Sequence, residues 1–343
     1  MAATSFETLP ASSITTTRTL LHESIPLTGA IVSGTYSDNN IKNYTHGQFQ
    51  SIYDYPFLSS SANHIFDLTV GYDESSSLSS SAATQNAKKI NMYNQFSQVL
   101  LGFTGSSNTV RKFELDLSLD EAGEIMRESL FFNFSRLITK DQIKKGSFSM
   151  ILGTGSWANP FLSISTLSDS DASDTGGTTN TFGGDYGVLK DSDSGQPRGL
   201  VFYQAGVALL STSSFDNVAD FHVSPVDGTM TIADMFVSSS ITASCDALRR
   251  RLYNITFNNS TEINSTIYFC RVPANNYNHS SNPTYLSASK IRVKDVASDT
   301  PVSYITTIGL YASDNTLMAV AKLSEPLKKD PTNQLTLRVR LDY

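Results

Sequence analysis

Cysteine is almost missing. Cys245 and Cys270 are the only two thiols among 343 residues, and neither sits in a metal-type spacing. The pattern argues against a disulfide-stapled scaffold and against a zinc ribbon; two reduced, buried thiols are the simplest reading. Charge is also sparse, at 17% of residues with a net −7. That balance argues against broad electrostatic attachment to DNA or anionic lipid, so no direct nucleic-acid partner is expected, although small basic patches remain open. No apolar run approaches the roughly 20 residues that a membrane-spanning helix needs, so no membrane partner is expected. The opening Met1-Ala-Ala-Thr-Ser-Phe6 has neither the basic nor the apolar segment of a secretory signal. Without one, the Asn-x-Ser/Thr sequons at Asn43, Asn133, Asn254, Asn258 and Asn264 read as products of composition.

Signatures of chemistry are missing too. His22, His46, His64, His222 and His279 are scattered, with no pair at ligand spacing and no Ser or Cys in a nucleophile setting. Each reads as a hydrogen-bonded structural histidine. His22 and Glu23 adjoin in an expected strand and would point to opposite faces. Gly153-Thr-Gly155 lacks the third glycine of a dinucleotide fingerprint and the Gly-Lys-Ser/Thr of a P-loop. Asp169-Ser-Asp171-Ala-Ser-Asp174 and Asp191-Ser-Asp193 resemble fragments of calcium loops without the fifth ligand, the glycine or the terminal Glu. A solvated acidic loop is the default there. Arg249-Arg250-Arg251 is the one compact basic run, and it reads as a salt-bridged edge strand, with a contact to an acidic partner subunit as the alternative and nucleic acid third, since no aromatic interleaving or groove-reading motif accompanies it. A glycan-cleaving enzyme would need two converging carboxylates. Asp54, Asp67, Asp73 and Glu74 are available, but the sequence does not show convergence. The expectation is no turnover, with no catalytic, cofactor-binding or metal residue and no required cofactor.

What the chain does have is abundant Ser, Thr and Asn and strong strand patterning. Its length fits about two domains with a sizeable core. The expected fold class is a β-rich α+β protein: an N-terminal mixed domain with two helices, then a C-terminal antiparallel sheet or sandwich-like domain. Residues 1–17 read as an extended arm, 18–160 as the mixed domain, 161–198 as a Gly/Ser/Asp-rich inserted loop and 199–343 as the β-rich domain. Helices are expected at 84–103, with Ile90, Tyr93, Val99, Leu100 and Phe103 on one stripe, and at 120–138, with Ile125, Met126, Phe132 and Leu137 inward. Thr139-Lys-Asp-Gln142 has the spacing of a capping box for a short helix ended by Gly146. Asp227-Gly228 signals a hairpin between 221–226 and 229–237. A strand pair, 249–257 and 263–272, is expected around a polar turn at 258–262. The segment 44–58 is rich in aromatics: Tyr44, Phe49, Tyr53, Tyr55 and Phe57.

The chain ends in the clearest pattern. Tyr304–Tyr311 is β-branched, aromatic or small, and Ser313-Asp314-Asn315 is a turn cluster before the apolar run Leu317–Ala321. Leu335, Leu337, Val339 and Leu341 then alternate with Thr336, Arg338, Arg340 and Asp342, the mark of a strand with one buried and one wet face. Tyr304-Ile-Thr-Thr-Ile-Gly-Leu-Tyr311 with Leu317-Met-Ala-Val-Ala-Lys-Leu323 resembles a "YITTIGLY…LLAVAKLS" segment of virion structural proteins of marine T4-like tailed phages, the cyanophages especially. Similar "IGLY…LLAV" hairpins occur in attachment domains of tail-fibre and collar proteins. The match is strong over about 25 residues. Arg18–His22, Asn40–Asn43, Tyr53–Pro56, Ser60–His64 and Asn282–Tyr285 look similar to the same proteins. The resemblance implies virion assembly. Together with the polar arm, the loop-rich stretch and several β-edges, it leads to the expectation of a virion structural subunit, tail-associated at baseplate, neck or fibre attachment, with other virion proteins and copies of itself as partners. The virion, assembled in the host cytoplasm, is then the expected location. The alternative is a glycan-binding or glycan-cleaving tail protein.

Overall fold

Three runs are apolar at nearly every position: Leu130–Phe134, Gly199–Tyr203 and Val207–Leu210. A strand turns successive side chains to opposite faces, so such runs need cover on both sides. They have it. Leu130, Phe132, Val201, Tyr203, Ala208 and Leu210 enter one hydrophobic core, while Phe131, Leu200, Phe202, Val207 and Leu209 enter a second. The sheet built on these runs therefore carries a separate core on each face.

The computed structural model describes residues 7–26, 38–104, 109–155, 161–216, 218, 221–222, 229–279, 286–287, 290–291, 298 and 300–343. The chain divides into two compact units, Leu21–Thr261 and Met1–Leu20 with Glu262–Tyr343. The strands begin with β1 (Ile14–Pro26), β2 (Ile41–Asn43), β3 (Gln50–Tyr53), β4 (His64–Tyr72), β5 (Phe113–Glu114), β6 (Ile125–Met126) and β7 (Glu128–Phe134). There follow β8 (Gln142–Ile143), β9 (Ser149–Thr154), β10 (Ser163–Ser168), β11 (Thr179–Thr181), β12 (Gly184–Asp191), β13 (Pro197–Phe202), β14 (Val207–Ser211), β15 (Phe221–His222) and β16 (Thr229–Met230). The last are β17 (Leu252–Val272), β18 (Leu286–Ser287), β19 (Lys290–Ile291), β20 (Ser303–Tyr311), β21 (Leu317–Lys329) and β22 (Leu335–Asp342). The helices are α1 (Asn86–Leu100), α2 (Arg136–Thr139), α3 (Ile232–Val237) and α4 (Ile241–Arg249). This is the β-rich α+β class expected. No helix among the described residues is long and apolar enough to cross a membrane.

In the larger unit the antiparallel order is β9-β10-β12-β13-β14-β7-β4-β3-β2, with β2 at the edge and the first half of β17 paired to β9 and β8. Helix α1 is one of the two expected. Tyr93 and Leu100 are buried, but Val99 and Phe103, placed on the same stripe, are exposed. Lys89, placed off the stripe, is fully buried. Its ammonium donates to the carbonyls of Phe236 and Ser239 at 2.6 and 2.7 Å, which satisfies the otherwise open C-terminal end of α3.

The second expected helix, 120–138, does not form. Those residues give β6, β7 and the single turn α2, and Leu137 is 80% exposed. The helical spacing was met by chance; Leu130–Phe134 are bulky strand formers, and pairing with both β4 and β14 takes them. The stretch 161–198 is not a loop either, because it holds β10, β11, β12 and the start of β13. Its glycines suggested irregular chain, yet Gly187 serves close packing: a Cβ there would lie 2.2 Å from the Tyr203 hydroxyl.

Residues 258–262 are not a turn, since β17 runs unbroken through them. Asn259 and Ser260 pair with Ile143 and Gln142, and the Asn259 amide donates to the Ile138 carbonyl at 2.9 Å. Polar side chains look like turn formers, but here pairing partners satisfy them. Thr139 closes α2 instead of capping a further helix, and 142–143 is strand β8. After Met230 the chain turns helical, with a capping box between Thr231 and Asp234. The hairpin turn at Asp227-Gly228 and residues 1–6 of the arm lie outside the described residues. From Ile14 onward the arm is β1, hydrogen-bonded to β17.

In the smaller unit, Ser265–Val272 of β17 pairs with β22. The expected alternation holds there, with Val339 buried, Leu337 half-buried and Arg338 and Arg340 exposed. β20 and β21 form a sheet of their own.

Candidate functional site

The acidic runs do not converge. Asp169 is buried, and its carboxylate accepts from the Gly146 and Phe148 amides, both at 2.8 Å, and from the Tyr203 hydroxyl at 3.0 Å. Burial raises its pKa above the usual carboxylate range, and these three donors pull the other way. Asp171 pairs with Lys190 at 2.6 Å, while Asp191 accepts from the Asp193 amide and the Ser165 hydroxyl. Among the described residues no group of three or more His, Cys, Asp or Glu could hold a metal ion. Asp169 departs most from the expected solvated loop: it is an internal latch.

The arginine run is not an edge strand. Arg249 ends α4, Arg250 and Arg251 make the turn into β17, and all three are buried. Arg249 Nε donates to Asp246 at 2.9 Å. The Arg251 guanidinium lies 5.6 Å from the Phe161 ring centre and 5.7 Å from that of Phe221, and donates to the Gly155 carbonyl at 3.1 Å. Cys245 is buried and Cys270 half-buried, and both are free thiols. Burial pushes both thiols up, most strongly at Cys245.

Among the described residues, no two of the four carboxylates considered for hydrolysis share a hydrogen-bond or ion-pair partner. Asp54 accepts from the Asn63 backbone and side chain, at 2.6 and 2.7 Å, and closes a surface loop. Asp73 pairs with Lys112 at 3.1 Å and Arg127 at 3.3 Å. Burial would raise it, but the Ser75 and Lys112 hydrogen bonds prevail and hold it below its ordinary value. Glu74 is exposed.

Asp67 has different company. It stands opposite Ser51 on the β3–β4 pair, and Lys42 stands opposite Ser51 on the β2–β3 pair. Paired residues share a face, and Ile41, Ile52, Phe66 and Leu68 take the other one into the core. Outside, Asp67 Oδ1 accepts from the Ser51 hydroxyl at 2.5 Å and lies 2.8 Å from His64 Nε2. The Tyr44 hydroxyl lies 3.3 Å from Ser51 Oγ. Burial leads the causes that raise the Tyr53 phenol, with Tyr44 next.

Rings flank this network on both sides. Tyr44 stacks on His46 at 5.1 Å and meets Phe49 at 4.9 Å; Tyr53 meets His64 at 5.5 Å and Phe57 at 6.4 Å. Lys42 Nζ sits 4.9 Å from the Tyr44 ring centre. The loop carrying His46 is held to α1 by Lys88, which donates to the His46 carbonyl at 2.8 Å. The aromatic richness of 44–58 was visible in sequence. What was missed is that Ser51, His64 and Asp67 join it; the period-2 run Phe49-x-Ser51-x-Tyr53 was the available signal. The side chains of His22 and His222 lie outside the described residues.

The smaller unit offers a second surface. The β20–β21 hairpin carries exposed apolar side chains, with Tyr311 47%, Met318 70% and Val320 52% exposed. Gly309 lets the Tyr311 ring lie across the strand, since a Cβ there would be 2.9 Å from that ring and 3.4 Å from Leu317. At its root, Lys329 is fully buried and its ammonium donates to Ala274 O, Asn278 Oδ1 and Asp330 O at 3.0, 2.7 and 2.8 Å. A shallow groove of about 380 Å³ in the same unit is lined by Arg271, Val272, Gln334, Leu335 and Thr336 among others, with no carboxylate. No protein-family model, curated protein or solved structure matches this chain.

Proposed function

We propose that this chain is a structural subunit of a tailed-phage virion, tail-associated at baseplate, neck or fibre attachment. It acts through contacts with other virion proteins and with copies of itself, and it performs no turnover. The observation that carries the reading is the β20–β21 hairpin. A two-stranded sheet is marginal alone in water, and this one exposes tyrosines, Leu317, Met318 and Val320. Contiguous exposed apolar surface marks an interface, and the buried Lys329 root makes the hairpin a defined element rather than a frayed end. The resemblance at Tyr304–Leu323 adds the particle context.

The test is mass spectrometry of purified particles, with the double variant Leu317→Asp/Val320→Asp alongside. The chain is expected in virions at stoichiometric copy number. The variant should keep its circular dichroism spectrum and fail to enter particles. Absence of the chain from purified virions overturns the reading, and so does full incorporation of the variant.

A further inference from the structure

We infer that the outward face of β2–β3–β4 is a binding site for a neutral saccharide chain. Three observations converge there. Half-exposed rings of Tyr44, Phe49, Tyr53 and Phe57 offer apolar surface with phenol hydroxyls at its centre. Tyrosine rings combine an apolar body with a polar tip and stay ordered at low entropic cost. The Tyr44 hydroxyl does not wander, because a hydrogen-bonded series from Tyr44 through Ser51 and Asp67 to His64 fixes it, and the Tyr53 ring packs against that of His64 at 5.5 Å. Both bonds to Asp67 fall on Oδ1; Oδ2 has no hydrogen-bond partner among the described residues, and the side chain stays 23% exposed.

The ligand class follows from matching these groups. A pyranose ring has one face of C–H bonds, suited to stacking, and an equator of hydroxyls that donate to carboxylates and accept from phenols. A nucleic-acid strand would also stack, but Asp67 stands on this face beside Lys42, and a net charge of −7 gives its phosphates no broad attraction. A polyproline segment would dock on aromatic ridges, yet it has no N–H to give Asp67 Oδ2. A hydroxyl-rich neutral chain satisfies both the rings and the carboxylate. The site is an open face of a sheet rather than a pocket, and the ring groups on either side of Ser51 suit consecutive sugar units of a polymer.

The test uses the full chain with hexamers of β-1,4-glucose, α-1,4-glucose, α-1,6-mannose and β-1,4-N-acetylglucosamine, followed by calorimetry and saturation-transfer NMR. Decaproline and a thymidine hexanucleotide serve as counter-probes. At least one hexamer is expected to bind with Kd of about 1 mM or tighter. Tyr53→Ala and Asp67→Ala should each weaken it at least tenfold, and Tyr53→Phe by less. Phe57→Ala, in the adjoining loop, should also weaken binding and keeps the test open should Tyr53→Ala misfold. Irradiating the aromatic protons of the wild type should transfer saturation to the sugar. The inference is overturned when no hexamer binds, when binding is unchanged in Phe57→Ala and Asp67→Ala, or when only decaproline or the oligonucleotide binds.

Discussion

The Tyr203 hydroxyl donates to Asp169 Oδ2 at 3.0 Å, and both side chains are buried. The same oxygen accepts from the Gly146 amide, so one carboxylate joins the end of β13, the turn before β9 and the end of β10.

Replacing Asp169 with Asn puts an NH₂ group against donors. Each orphaned buried donor costs about 1–3 kcal/mol. Asp169→Asn should therefore lower stability by about 2–4 kcal/mol, and Tyr203→Phe, which removes one donor and orphans nothing else, by about 1 kcal/mol. Urea denaturation measures both. Because burial raises the Asp169 pKa, the folded state binds the proton more tightly than the unfolded state. Its contribution is therefore most favourable below the ordinary Asp value and declines as pH rises through the folded pKa. Relative to Asp169→Asn, wild type should lose stability across that window.

Lys89 titrates in the opposite sense. Burial lowers its ammonium from 10.5 to about 8, so between those values the unfolded chain binds more protons and stability rises with pH. Lys89→Met should be destabilising at pH 7, because it orphans the carbonyls of Phe236 and Ser239. The gap between wild type and variant should widen from pH 8 to 10.5. A gap that is flat or narrows across this range would contradict the assignment.

What the sequence made legible depended on how much of each pattern was local. The closing strands and α1 have their own periodicity, and they form where expected. β7 and β10–β12 do not announce themselves, since Leu130–Phe134 is a strand only because β4 and β14 flank it, and Ser163–Ser168 holds just two large apolar residues. The arginine run misled for a related reason. Arg249–Arg251 look like a wet edge, and only tertiary packing brings Phe161 and Phe221 around Arg251. At the aromatic face the rings were readable along the chain, whereas Ser51 and Asp67 meet only through register.

Arg251 gives a prediction of its own. Lysine cannot reproduce a planar group set between two rings while donating to a carbonyl. Arg251→Lys should cost about 2–4 kcal/mol by thermal or urea unfolding, with Arg251→Met no better.

In the smaller unit, Val339 is buried opposite Tyr268 and Leu317 is exposed on the hairpin. Val339→Asp should lose about 3 kcal/mol or more and unfold this unit by near-ultraviolet circular dichroism. Leu317→Asp should leave the spectrum unchanged. Leu337→Asp, half-buried on the same strand, should fall between them.

The division at Leu20 and Thr261 also sets an order of events during synthesis. The larger unit is a continuous stretch of chain placed between two pieces of the smaller one. A ribosome releases all of Leu21–Thr261 while β22, the partner of β17 in the smaller unit, is still untranslated. The larger unit can therefore acquire its two cores during translation. The strand residues Ser265–Val272 wait, unpaired by β22, for residues some seventy positions downstream. Nascent chains halted near residue 300 should already resist protease across the paired strands β2–β4, β7, β9, β10 and β12–β14, with protection of Ser265–Val272 arriving only once the last strand has emerged.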